Sequence, residues 1–322
     1  MAVESKEQNA ARSSEPLTLG TRLVAPDILI HLHIPKTGGM SLSSMIKHAF
    51  RNDEIFDSTA RGDEIYTGLG VATDECCHKR LSGLSPNARC RLRYVAGHVP
   101  MGIHRELDRP AKYFTVIRNP IDRVVSYFFF LIQMDQPLLK EGRPITFEEF
   151  VESDDDIHLH DYQTRIVSGC RELDAPPPER PGLVPGTHVE RRHLNDAKRN
   201  IERHFLAVAP LEHITELALL MRIIYGWPMR RLQTEYKNRT KQRPHLREIA
   251  PRLIKIIEKK NSYDMELYEL ARKQFAELRK QFEPELTRDR RIFGLVNHAL
   301  NVAGELLPRG LRKRLAELFF YA

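Results

Sequence analysis

The feature that most constrains this 322-residue chain is an apolar run that breaks at a glycine turn and resumes as an amphipathic pattern. Residues 27–34, Asp-Ile-Leu-Ile-His-Leu-His-Ile, have the short, β-rich, apolar character of a buried central strand. Pro35-Lys-Thr-Gly-Gly39 follows and turns the chain. Leu42, Met45, Ile46, Ala49 and Phe50 then share one face of a predicted helix. Strand, glycine loop and helix in that order aim backbone N–H groups and the positive end of a helix dipole at an anion. A plain strand–helix turn uses the same glycines, so the loop alone defines no ligand.

Further strands are predicted at residues 91–96, 112–117 and 205–209. After the second of these, Asn119 suits an N-cap and Pro120 the first helical position, which starts a helix through the aromatic-rich stretch ending at Leu131. Ile214, Leu217, Ala218, Met221 and Ile224 mark another helix, stopped by Gly226. Strands alternating with helices predict an α/β, P-loop-like layered fold with a central, mostly parallel sheet flanked by helices. The expected organisation is a disordered N-terminus over residues 1–22, one domain over 23–284, and a basic amphipathic helical tail over 285–322. Residues 248–283 read as helical and strongly charged. The proline-rich stretch 175–186 excludes regular structure and predicts an exposed loop bordering an acceptor site.

Composition narrows the function classes. A hydrophobic fraction of 41% supports a sizeable core, and a formal charge of +7 favours anionic partners or simply a solvated basic surface. A nucleic-acid binder would interleave aromatics with an exposed basic patch, whereas Tyr127 to Phe130 fall in a helix that reads as buried, so no nucleic-acid partner is expected. The first 25 or so residues lack the apolar run of a signal or anchor. The longest apolar stretch, residues 124–134, is shorter than the about 20 residues a spanning helix needs. A soluble, cytoplasmic protein is the expectation. Cys76, Cys77, Cys90 and Cys170 have neither zinc nor thioredoxin spacing and are expected as buried free thiols, with a Cys77–Cys90 bridge left open for a secreted chain. No metal is expected. The tail could pack on its own domain, meet a partner subunit, or make peripheral contact with an anionic membrane.

The loop spacing then separates two classes of anion site. A nucleoside-triphosphate loop reads G-x-x-x-x-G-K-[ST]; here Lys36 precedes both Gly38 and Gly39 and the loop is shorter, which argues against a P-loop nucleotide kinase. Instead, His33-Ile-Pro-Lys-Thr-Gly-Gly-Met-Ser-Leu42 resembles the 5′-phosphosulfate loop of carbohydrate sulfotransferases related to heparan sulfate 2-O-sulfotransferase, with Met40 where that family has Thr or Ser. Thr115-Val-Ile-Arg-Asn-Pro-Ile-Asp-Arg-Val-Val-Ser-Tyr127 is similar to the family's 3′-phosphate segment, R-D-P-x-x-R-x-x-S-x-Y, with Asn119 for the aspartate. Tyr94-Val-Ala-Gly-His-Val-Pro100 resembles its Gly-His-Val segment. Asp161-Tyr-Gln-Thr-Arg165, Leu211-Glu-His-Ile214, the basic stretch from Tyr236 to Pro244, and Asn261 to Tyr268 extend the likeness more weakly, so that it covers about residues 27–282.

The resemblance implies an enzyme that moves a sulfuryl group from 3′-phosphoadenosine 5′-phosphosulfate (PAPS) to a hydroxyl of a carbohydrate or glycolipid. It implies that Lys36 and the loop residues Thr37, Gly38, Gly39, Met40 and Ser41 hold the 5′-phosphosulfate, with Lys36 stabilising the leaving oxygen. Arg118 and Ser126 would take the 3′-phosphate, Thr240 and Arg243 would contact the cofactor, and His98 would be the catalytic base. An imidazole with an ordinary pKa of about 6.5 suits that task. His31, His33 and His104 compete with His98 on residue type alone. Arg118 could equally tie strand to helix. A non-catalytic protein binding PAP (the desulfated cofactor) or an anionic glycan would keep Arg118 and the glycines yet dispense with Lys36 and His98.

Overall fold

The computed structural model describes residues 25, 27–58, 81–140, 142–154, 156–169, 188–232 and 243–306, with side chains to 295. The predicted central strand forms as β1 (Ile28–His31), followed by α1 (Gly39–Lys47). Then come β2 (Ile55–Asp57), α2 (Pro86–Arg91), β3 (Tyr94–Ala96), β4 (Ala111–Ile117) and α3 (Pro120–Gln133). A two-stranded hairpin, β5 (Leu139–Lys140) and β6 (Arg143–Pro144), stands apart from the main sheet. The remainder is α4 (Phe147–Glu152), α5 (Tyr162–Ser168), α6 (Arg191–His204), β7 (Phe205–Pro210), α7 (Ile214–Tyr225), α8 (Pro251–Lys260), α9 (Ser262–Gln281) and α10 (Glu283–Leu306).

The main sheet has five strands in the order β2-β3-β1-β4-β7, and every pairing is parallel. This is the α/β architecture that the alternating pattern predicts. Strand periodicity divides the core between the two faces. Leu29, Tyr94 and Phe114 pack with Leu42, Met45 and Ile46 of α1 and with Leu217, Ala218 and Met221 of α7. Ile28, Ile30, Val95 and Tyr113 face the other way, against Leu194, Ala197 and Ile201 of α6 and against Leu267 and Ala271 of α9. A third cluster joins Val124, Val125 and Phe128 of α3 to Phe150 of α4 and Ile257 of α8.

Three expectations need correction and a fourth is refined. Residues 91–93 are not strand. Ser85 accepts a hydrogen bond from the amide of Ala88 at 3.3 Å and Pro86 opens α2, so Arg91 closes a short helix before β3 begins. The charged helical region after 248 is two helices, because Asn261 turns its amide inward to donate to the carbonyls of Leu159 and Ile257 at 2.8 and 2.9 Å. Cys90 is exposed rather than buried; Cys76, Cys77 and Cys170 lie outside the described residues, as does the proline-rich stretch 175–186. The boundary expected after residue 284 falls inside α10, whose Leu286 and Phe293 enter the core beside α7 and whose Asp289 is paired with Arg222. No described helix is long and apolar enough to cross a membrane.

Candidate active site

Because β1 lies between β3 and β4, the segments leaving those three strands emerge side by side at one sheet edge. In open α/β sheets, the crevice beyond the strands' carboxyl ends is where ligands bind. The glycine loop occupies the middle of this edge, with His98 on the β3 side and Arg118 on the β4 side. Residues 33, 98 and 118 are thus neighbours despite their separation in the chain.

The loop is shaped by tight local contacts. Thr37 donates its hydroxyl to the carbonyl of Ile34 at 2.8 Å and is almost fully buried. Lys36 has φ 70°, a left-handed conformation uncommon for a residue with a Cβ. Gly38, at φ 82°, precedes α1 and leaves no room for a side chain, since a Cβ there would lie 2.6 Å from Leu211 Cδ1. Gly39 is under a different constraint. Its backbone is helical, but a Cβ would meet the His33 ring at 2.1 Å. Met40 is exposed and Ser41 buried on the first turn of α1, where the amides of Ser41 and Leu42 donate to the Gly38 carbonyl at 3.0 and 3.2 Å.

The histidines form a stack. The His98 ring lies on that of His33 with centroids 4.5 Å apart, and His33 on that of His31 at 5.7 Å. His98 Nδ1 is 3.2 Å from the His33 carbonyl oxygen. A bond to a carbonyl requires Nδ1 to carry the hydrogen, which leaves Nε2 unprotonated in the neutral ring. Burial pushes the pKa of His98 below its usual value, against the opposing effects of that carbonyl and of Asp57. His31 and His33 are buried and held neutral, chiefly by desolvation and then by their charged neighbours. His31 is tied to Ser43 through Nδ1 at 2.7 Å, deep under the loop. His104 sits away from the loop and bonds Tyr113. Of the four candidate histidines, His98 is the one both adjacent to the loop and only partly buried.

On the other side, Arg118 is held by its own backbone as well as its side chain. Its amide donates to Gln163 Oε1 at 2.8 Å, and its carbonyl accepts from Gln163 Nε2 at 2.9 Å. The guanidinium donates to the Lys36 carbonyl and to Asp122 Oδ2, both at 3.1 Å. The local tie that the alternative reading anticipated therefore exists, and it reaches the glycine loop itself. Arg243 donates to the other oxygen of Asp122 at 3.1 Å. Asn119 caps α3 by accepting from the amides of Ile121 and Asp122. Ser126 is buried on the next turn of the same helix, and Thr240 lies outside the described residues.

Lys36 reaches across to α3, with its ammonium 3.5 Å from the centroid of the Phe130 ring. Such a perch attracts a cation that has little water around it. Burial, followed by the charges of Arg118, Arg243 and Arg123, lowers the Lys36 pKa to about 7. These cations gather about the Asp122 carboxylate, which accepts from both Arg118 and Arg243, an arrangement suited to a multiply charged anion.

Several residues of this site were not singled out in the sequence. Phe130 lies one turn beyond Ser126 on the same helical face, a spacing that could have revealed it. Gln163 sits within the Asp161–Arg165 motif, but its grip on Arg118 depends on tertiary packing. That packing is itself fixed by two helix starts that cap each other. Asp264 accepts from the amides of Gln163 and Thr164 at 3.0 and 2.6 Å, and Asp161 accepts from the amide of Asp264 at 2.8 Å.

A family model described as the sulfotransferase family matches residues 24–271, which include every element of this edge. The chain belongs to the sulfotransferase family. It is 30% identical over 182 residues to a heparin sulfate O-sulfotransferase of Drosophila melanogaster, covering 51% of this chain and 48% of the relative. The chain thus spans about half the length of the curated relative it matches. The crystal structure of a sulfotransferase from Alicyclobacillus acidocaldarius aligns with a TM-score of 0.40 and 14% identity, over 78% of this chain and 96% of that one.

Proposed function

We propose that the donor is PAPS and that the acceptor is a hydroxyl of a carbohydrate or glycolipid. The observation that carries this reading is the shared edge: a glycine-led helix start of the kind that favours anions, with a basic cluster on one side and a neutral imidazole on the other. The likeness to a heparin sulfate O-sulfotransferase supports the acceptor class. So does the chain's excess of basic residues, which suits an acidic glycan.

The reaction is an in-line displacement at sulfur, resembling phosphoryl transfer in needing position and charge neutralisation more than covalent catalysis. The acceptor oxygen forms a bond to sulfur as the bond from sulfur to the bridging phosphate oxygen breaks. His98 Nε2 takes the acceptor's proton, and PAP leaves with the bond's electron pair. Lys36, with the amides of residues 37–41, stabilises the charge that develops on the leaving oxygen. Arg118 and Ser126, with Thr240 and Arg243 as further cofactor contacts, select a donor carrying a 3′-phosphate.

His98→Ala tests the assignment. Turnover of labelled PAPS with a responsive glycan should fall by at least about a hundredfold, the low end for a positioned general base, while PAP affinity by calorimetry stays near wild type. Loss of PAP binding together with activity would make His98 a structural residue. Absence of PAP binding in the wild-type enzyme would remove the donor.

A further inference from the structure

Asp122 occupies a position that the family's 3′-phosphate segment leaves unspecified, and it has no part in the reaction scheme above. It is nevertheless bonded to two of the proposed donor contacts. Its Oδ2 accepts from Arg118 and its Oδ1 from Arg243, each at 3.1 Å. The side chain is 28% exposed, against 11% for Arg118 and 31% for Arg243, so the bridge is only partly buried.

The electrostatics show why such a bridge matters. Arg118 is pushed toward the neutral form first by burial and then by Arg243 and Arg123, while Asp122 acts in the opposite sense. Lys36 adds a further cation, perched on Phe130. Like charges this close repel, and a flexible arginine relieves the repulsion by swinging into water. Arg118 cannot move, because Gln163 fixes its backbone and the Lys36 carbonyl takes one of its donors. Among the described residues Arg243 makes no other side-chain bond, and it is the more exposed of the two. Each guanidinium has five N–H donors, so a carboxylate that takes one from each leaves most of them for a ligand.

We infer that Asp122 is a positioning residue that holds Arg243 beside Arg118 as a pair of guanidinium groups, and so sets the selectivity of the site for a 3′-phosphorylated nucleotide. The inference rests on the donor reading given above. A rival role for the same carboxylate is that of a resident anion, which excludes phosphate by repulsion. The two roles predict opposite signs.

The test is calorimetric binding of PAP and of adenosine 5′-phosphate, which lacks the 3′-phosphate, to wild type, D122A, D122N, R243A and D122A/R243A. Charge-assisted hydrogen bonds of this kind correspond to roughly ten- to hundredfold in affinity. PAP binding to D122A should therefore weaken by about that factor, with adenosine 5′-phosphate affinity unchanged. D122N should lose nearly as much as D122A, because an amide cannot hold two guanidinium groups by charge. D122A in the R243A background should cost little more than R243A alone, since the two residues act through one contact. Equal weakening of both nucleotides would mean general damage to α3 and would overturn the inference. Unchanged or tighter PAP binding, or fully additive effects, would also overturn it and would favour the resident anion. A wild-type enzyme that binds adenosine 5′-phosphate and PAP equally would instead remove the 3′-phosphate reading itself, and this inference with it.

Discussion

Gly39→Ala isolates the contact that couples the donor loop to the candidate base. Gly39 has a helical backbone, so alanine meets no torsional strain there, and helix propensity favours it by about 1 kcal/mol. The obstacle is steric. A Cβ would lie 2.1 Å from Cδ2 of His33 and 2.7 Å from both Cγ and Nε2, inside any real contact. His33 is 7% exposed, with His98 stacked at 4.5 Å and His31 at 5.7 Å. Its backbone is also fixed, with its amide donating to Gly97 at 3.2 Å. Overpacking in such a place costs about 1–3 kcal/mol. Set against the propensity gain, the net loss of stability is about 0–2 kcal/mol. Activity should fall further than that figure suggests. The displaced ring pushes on His98, and an error of about 1 Å at a reacting group can cost on the order of a hundredfold in rate.

The assay pairs urea unfolding with turnover of labelled PAPS, in wild type, G39A, H33A and G39A/H33A. Removing the ring removes the obstacle, so G39A should be nearly harmless to stability in the H33A background. The coupling energy then reports the clash directly, free of whatever cavity H33A creates. A G39A enzyme with wild-type stability and rate would refute the argument. An equal penalty in both backgrounds would refute it differently, by placing the cost in the loop and not at His33.

Two further predictions concern protons. With the Lys36 pKa lowered to about 7, the free enzyme is largely without this charge at pH 8, and a bound polyanion restores it. PAP binding at pH 8 should therefore take up protons, read as a binding heat that varies with the ionisation enthalpy of the buffer, and K36M should abolish the uptake; a buffer-independent heat in wild type would contradict it. In the α5–α9 junction, burial raises the pKa of Asp161, and the charge of Asp264 raises it further; burial also raises Asp264. The folded protein thus keeps protons that the unfolded chain releases above about pH 4, so stability falls as pH climbs through the raised values. D161N keeps an oxygen acceptor for the Asp264 amide and removes one titrating group. Its gain in Tm should be larger at pH 8 than at pH 5, and an equal gain at both would exclude the linkage.

Asp161 also shows what a sequence can and cannot reveal. The sheet was legible because β1 and β4 carry apolar residues on both faces, which only a covered central strand tolerates. The start of α3 was legible because Asn119-Pro120 is a local signal, and the acceptance by Asn119 of the Ile121 and Asp122 amides needs no distant partner. The start of β3 was misread because Arg91 and Arg93 flank Leu92 with the alternation of a strand, while the Ser85–Pro86 helix start sits upstream of the pattern. The grip of Gln163 on Arg118 and the reciprocal capping by Asp161 and Asp264 span 45 and about a hundred residues respectively. No periodicity encodes such contacts, since they depend on where α5 and α9 meet.

The same distinction explains the form of the site. Residues that touch a ligand in this reading, such as Lys36 and His98, sit in short motifs at strand ends, where the backbone alone decides what they face. The groups that aim them come from elsewhere: Phe130 from within α3, Gln163 from α5 and Arg243 from beyond α7. Asp122 belongs to both sets, lying on the first turn of α3 four residues after Arg118 and 121 before Arg243. It is therefore the position where a local motif recruits a distant element. If the inference holds, altering that carboxylate should change which nucleotide is bound while leaving the loop and the base untouched, a separation that neither Lys36 nor Arg118 can give because each also shapes the loop.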